Sequence, residues 1–216
     1  MSRQSYLILS SALLTGLCLG GALSFPFWYG LLLYYAPDSI SEQMAGYLSP
    51  DRTPDLWLPG ILLGGVLWGV LLGQLGKIRP LWRVGIAGGV GVFAGWAIAV
   101  HPPFFDMVRA VWPASPDHIR WGTSLMLGVG LGGGITALVL GLAIRWGRAA
   151  LGLAAGVALA AAIPALLVDL GLDALGIRWG AGNANMAKVV GLAFPAAALS
   201  AGALIGWYIA RFGPRP

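Results

Sequence analysis

An apolar hairpin from Leu58 to Val100, turned by Gly76-Lys77-Ile78-Arg79-Pro80, constrains this chain more than any other stretch. About twenty residues on each side of the turn carry no charge, apart from Arg83 just past it. At ~1.5 Å per residue, an arm of that length reaches across a hydrocarbon layer of roughly 30 Å. The pattern recurs 68 positions later, where Gly64, Gly65, Gly73, Lys77 and Gly88 fall on Gly132, Gly133, Gly141, Arg145 and Gly156. A weaker third echo closes the chain, with Arg211-Phe212-Gly213-Pro214 after another small-residue segment.

Composition agrees with that reading. Only 10% of residues are charged and 58% are apolar, with 34 glycines and a mean hydropathy of +0.80. Soluble domains carry roughly 25% charge, so the expectation is an all-α, polytopic transmembrane bundle forming one domain over 1–216. The net charge of +5 does not indicate nucleic acid, because no basic run or polar aromatic platform accompanies it. The lone Cys18 excludes a disulfide framework and a cysteine metal motif.

The start of the chain imitates a signal peptide, with Arg3, an apolar run and Ala22-Leu23-Ser24. The apolar run continues through Pro26-Phe27-Trp28-Tyr29 to Ala36, well beyond the roughly 7–15 residues of a secretory core. It reads instead as a long first span, bent or tilted at Pro26. Six spans follow from hydropathy: about 6–35, 57–76, 81–100, 119–144, 149–170 and 187–210. Trp57, Trp82, Trp112, Trp121, Trp146, Trp179 and Trp207 fall near their ends, where an amphipathic ring prefers to sit. Trp68 and Trp96 lie deeper.

Alternate loops segregate charge. One face holds Arg3, Lys77, Arg79, Arg83, Arg145, Arg148, Arg211 and Arg215 with no carboxylate; the other holds all eight carboxylates. The positive-inside rule then predicts a multi-pass protein of the inner (cytoplasmic) membrane with both termini cytoplasmic. On the outer side, Ser39-Ile40-Ser41-Glu42 has capping-box spacing and opens a short interfacial helix. Phe104 to Trp112 reads as a second such helix. His101-Pro102-Pro103 stops the third span, because proline lacks the amide donor.

Four-residue glycine spacing recurs within the spans: Gly60/Gly64, Gly65/Gly69/Gly73, Gly85/Gly89, Gly91/Gly95, Gly128/Gly132, Gly152/Gly156 and Gly202/Gly206. Such stripes let helix backbones approach closely. Two uses follow: packing within the bundle, or docking of other membrane subunits or a second copy on Gly-rich faces. Gly128-Val129-Gly130-Leu131-Gly132-Gly133 contains G-x-G-x-x-G, but a dinucleotide fingerprint needs a preceding strand, and this one lies in an apolar helix.

Candidate site residues are few. His101, Asp106, Asp117 and His118 share one outer loop, and two imidazoles with two carboxylates suit zinc or a similar divalent ion. Asp117 and His118 equally suit the first turn of a capped helix. Asp169 and Lys188 end the fifth span and begin the sixth at similar depth, the placement of an ion pair across an outer hairpin. Gln74, Thr123, Ser124, Thr136 and Ser200 are nearly all the polar groups in the spans. No G-x-S-x-G, H-E-x-x-H, central lysine or mid-membrane histidine is present, so no enzyme, haem or retinal chemistry is expected.

The order of features is similar to the cobalt-transporter subunit family CbtA. The shared elements are a long first span, an acidic outer segment, a basic turn before a Gly-rich span, and Val100-His101-Pro102-Pro103. Ala-Ile-Pro-Ala-Leu at 162–166 and Gly206-Trp207-Tyr208-Ile209-Ala210-Arg211-Phe212 are also similar to it. The resemblance implies an accessory membrane subunit for metal uptake, although this chain lacks a His-rich segment. The reading is then a transporter-type subunit admitting a small polar or cationic solute from the carboxylate-rich face. Its rival is a non-catalytic structural or assembly subunit of a larger membrane complex.

Overall fold

The computed structural model describes residues 1–21, 53–99, 117–177 and 183–213. Within them the chain is all helical: α1 (Arg3–Thr15, continued by a π-helical turn, Gly16–Gly21), α2 (Thr53–Leu75), α3 (Leu81–Ala99), α4 (Asp117–Ala143), α5 (Arg148–Ala174) and α6 (Asn183–Phe212). Four apolar stretches are long enough to cross a membrane: Arg3–Gly21, Thr123–Ala143, Arg148–Ala174 and Gly191–Phe212. Within α2 and α3 the apolar stretches are shorter, Ile61–Leu75 and Leu81–Ala97. The expected outer helices around Ser39 and Phe104, and the proline bend at Pro26, lie outside the described residues.

Neighbours in sequence are neighbours in space from α2 to α6. Helix α1 then packs along α6 and touches α2 more lightly, which closes the row into a ring. The helices begin and end for local reasons. Ser2 caps α1, its Oγ accepting from the Ser5 amide at 3.1 Å. The π-helical turn was not foreseen; it lies where Gly20 meets the α6 backbone, with the position of an added Cβ 2.8 Å from Pro195 Cα. Glycines tolerate the widened backbone such a turn requires.

The repeat is visible in the backbone. Helix α2 ends with amide bonds from Lys77 to the Gln74 carbonyl (3.1 Å) and from Ile78 to Gly73 (2.8 Å). Helix α4 ends the same way 68 residues on, with Arg145 donating to Leu142 and Trp146 to Gly141, both at 3.0 Å. These are Schellman ends, which require a left-handed residue usually filled by glycine. Here Lys77 (φ 54°) and Arg145 (φ 65°) fill it. The Arg79–Pro80 bond in the first turn is cis.

Packing leaves a broad apolar outer surface on helices long enough to cross a membrane. Helix α5 buries Ala150, Leu153, Val157, Ala161 and Ala165 while exposing Leu151, Leu159, Ile163 and Leu167. Alanines make up most of the inward face, interrupted by Leu153 and Val157, and large apolar residues dominate the outward one, so the helix backbones can approach closely. The glycine stripes are used inside. An alanine Cβ at Gly69 would meet the Val84 carbonyl, and one at Gly95 would meet the Gly132 carbonyl. At Gly202 it would lie 2.6 Å from the Ser11 carbonyl of α1. Gly64 differs, with open space around it.

Candidate functional site at the basic end

Three contacts bring the termini and both short turns to one end of the ring. The position of an added Cβ at Gly76 lies 2.9 Å from Ile209, the Trp146 and Tyr208 rings lie tilted with centres 6.2 Å apart, and Leu7 abuts Gly206. Arg3, Lys77, Arg79, Arg83, Arg145, Arg148 and Arg211 therefore gather there, and none of the carboxylates among the described residues does. Aromatic rings accompany the charges. The Arg83 guanidinium lies 5.8 Å from the Trp82 ring centre, and that of Arg211 lies 5.3 Å from Trp207. Such pairs contribute about 0.5–1 kcal/mol when exposed.

Two adjoining cavities open between the start of α3 and the end of α4. The smaller, about 310 Å³, is lined by Arg79, Pro80, Arg83 and Arg145 with apolar neighbours. The larger, about 450 Å³, shares Arg83 and Arg145 and is otherwise walled by Trp82, Ile86, Val90, Val139 and Leu142. The local reasons are plain. The left-handed turn at Arg145 ends α4 beside the first turn of α3, and Arg83 sits one turn beyond Pro80, its amide donating to the Pro80 carbonyl at 3.2 Å.

Two buried polar seams lie deeper. Trp68 is wholly buried and its indole N–H donates to Thr15 Oγ1 at 3.0 Å, joining α2 to α1. The Thr136 hydroxyl reaches the Gly91 carbonyl across the α3–α4 seam at 3.0 Å and its own helix at Gly132 at 2.8 Å. Trp68 and Thr136 are 68 apart, so the repeat puts one polar tie at equivalent depth in each hairpin. Gln74, by contrast, is exposed near the basic end.

The residues singled out in the sequence fall at the other end. His101 and Asp106 lie outside the described residues; Asp117 and His118 are the first two residues of α4. Among the described residues no group of three or more His, Cys, Asp or Glu side chains converges. Asp169 is only 6% exposed, little more than a turn before the end of α5, and half-buried Lys188 stands in the second turn of α6 at that same end. Sequence reasoning missed the arginine-lined cavities. Their signal was present: Arg83 is the one charge breaking an arm of the hairpin, and the repeat sets its turn beside that of Arg145.

Compared with protein-family models, with curated proteins and with solved structures, the chain matches none. Functional assignment therefore rests on geometry: an all-α chain with four helices that could cross a membrane, basic and aromatic at one end.

Proposed function

We propose that this is an integral inner-membrane protein, both termini cytoplasmic, serving as a non-catalytic structural or assembly subunit of a larger membrane complex. The observation that carries the reading is backbone contact along consecutive helix seams: Gly69 on Val84, Gly95 on Gly132, and Gly141 on Ala150. A solute path needs room and polar lining, and seams closed by backbone supply neither. The exposed leucines of α5 offer a partner or lipid a broad apolar face. Purification of the full chain in mild detergent is expected to bring down a partner in fixed stoichiometry. A lone monomer that conducts ions in liposomes would overturn the reading.

A second reading is favoured by one residue. Asp169 is buried in an apolar helix at the end opposite the arginines, and carboxylates at such positions are costly and tend to mark ion paths. On that reading, and on the resemblance to CbtA, the chain is a transporter-type subunit admitting a small cationic solute, such as a divalent metal. His101, Asp106, Asp117 and His118 would receive the ion at the outer face, with Asp169 and Lys188 paired behind them. Replacing both histidines with alanine should then weaken divalent-metal binding in a calorimetric titration. An unchanged titration removes this second reading.

A further inference from the structure

We infer that the α3–α4 cleft at the basic end is a seat for one anionic phospholipid, its phosphate on Arg79, Arg83 and Arg145 and an acyl chain along Ile86, Val90, Val139 and Leu142. The inference rests on the membrane reading above and adds a ligand to it.

Charge and shape agree on the occupant. Three guanidiniums line the smaller cavity, and no carboxylate lines either one. A guanidinium is a planar fork that binds phosphate through two parallel hydrogen bonds. The larger cavity continues from the same two arginines down an apolar groove, with Ile86 54% and Leu142 58% exposed along it. From Trp82 to Val90 the groove follows α3 for roughly 12 Å at ~1.5 Å per residue, close to the depth of one hydrocarbon leaflet. A free phosphate would fill the cradle and leave that groove bare; a lipid fills both. Trp82, 62% exposed at the rim, stands where an amphipathic ring meets headgroups. The cradle favours a net negative headgroup, since basic residues near the membrane surface attract anionic lipid by about 1 kcal/mol each.

The test is native mass spectrometry of the full chain released from nanodiscs containing phosphatidylglycerol and phosphatidylcholine. One phosphatidylglycerol should remain bound in preference to phosphatidylcholine. Arg83→Gln with Arg145→Gln should reduce its retention at least about tenfold. The pair Arg148→Gln with Arg211→Gln, at the same end but outside both cavities, should leave retention unchanged. Val90→Trp fills the groove and keeps all three guanidiniums, so it should also release the lipid; it covers the case in which the double arginine variant does not fold. Equal retention of the two lipids, equal loss in both arginine pairs, or full displacement by millimolar inorganic phosphate would overturn the proposal. Failure of the wild-type chain to enter nanodiscs at all would instead overturn the membrane reading.

Discussion

The two hairpins, α2–α3 and α4–α5, share a turn and a register but assign their small residues differently. In the first, glycines stand on both helices: Gly65 faces Gly88 and Gly89, and Gly69 faces Gly85. In the second, Gly130 and Gly134 on α4 face Ala158, Ala162 and Ala154 on α5. Gly88 and Gly156 occupy the same place in the repeat, yet Gly88 lies on the α2 backbone while Gly156 meets only the flexible tip of Leu204 on α6. A repeat therefore preserves how a hairpin turns more faithfully than what its faces touch. The second hairpin also packs against α6, and at Gly156 this is where its faces diverge from those of the first.

The largest expected effect tests that divergence. At Gly88 an added Cβ would collide with the Gly65 carbonyl and come within 3.0 Å of Gly69 Cα, and neither backbone can yield without moving a helix. Overpacking of this kind costs about 1–3 kcal/mol, and a backbone obstacle puts Gly88→Ala at the upper end. At Gly156 the obstacle is a leucine methyl at 2.8 Å, which can rotate away. Gly156→Ala should then cost less than about 1 kcal/mol, with alanine's helix propensity offsetting part of it. Reversible unfolding in detergent micelles measures both. Equal losses at the two sites would break the comparison. Gly64→Ala, in open space, should change stability by no more than about 0.5 kcal/mol.

A smaller effect is expected at the polar ties. Trp68→Phe removes the donor to Thr15 but keeps most of the buried ring, and Thr136→Val removes the hydroxyl bonded to the Gly91 carbonyl. Interhelical hydrogen bonds in bilayers average about 0.6 kcal/mol and reach about 1.7. The loss at Trp68 should exceed that at Thr136, because phenylalanine also leaves a void where the wholly buried indole stood. The reverse order would show that the α3–α4 seam, and not the α1–α2 seam, depends more on its tie.

How much of this was written in the sequence follows from what each signal encodes. Hydropathy and charge placement foretold helices at 57–76, 81–100 and 149–170 and the gathering of arginines at one end, because a long apolar run carries its signal in every residue. Glycine spacing marked the close seams but not their partners, since a stripe on one helix does not say which neighbour lies against it. Gly130 and Gly134 were overlooked beside the more conspicuous Gly128/Gly132 pair. The π-helical turn at Gly16–Gly21 had no local signature apart from its glycines. Trp68 was recognised as deep, and a buried indole N–H needs an acceptor, but nothing local pointed to Thr15, 53 residues away. The arginine cradle depends on two turns lying side by side, which periodicity alone does not supply.

The smallest effect concerns what the hairpins hold in common. Lys77 and Arg145 both take the left-handed conformation that glycine adopts freely. For an ordinary side chain that costs about 1–2 kcal/mol, while a cation at a helix C-terminus returns about 0.3–1 kcal/mol through the dipole. Glycine at either position therefore removes the cost and the charge together, and a net stabilisation within about 1 kcal/mol is expected, alike in Lys77→Gly and Arg145→Gly. The variants should part company in lipid. Lys77 lines neither cavity, while Arg145 lines both. Bound phosphatidylglycerol should accordingly persist in Lys77→Gly and fall in Arg145→Gly, despite similar unfolding midpoints. Of the two basic residues held at a backbone cost, Lys77 would then serve orientation in the membrane alone, and Arg145 would also hold the lipid together with Arg79 and Arg83 of the first hairpin.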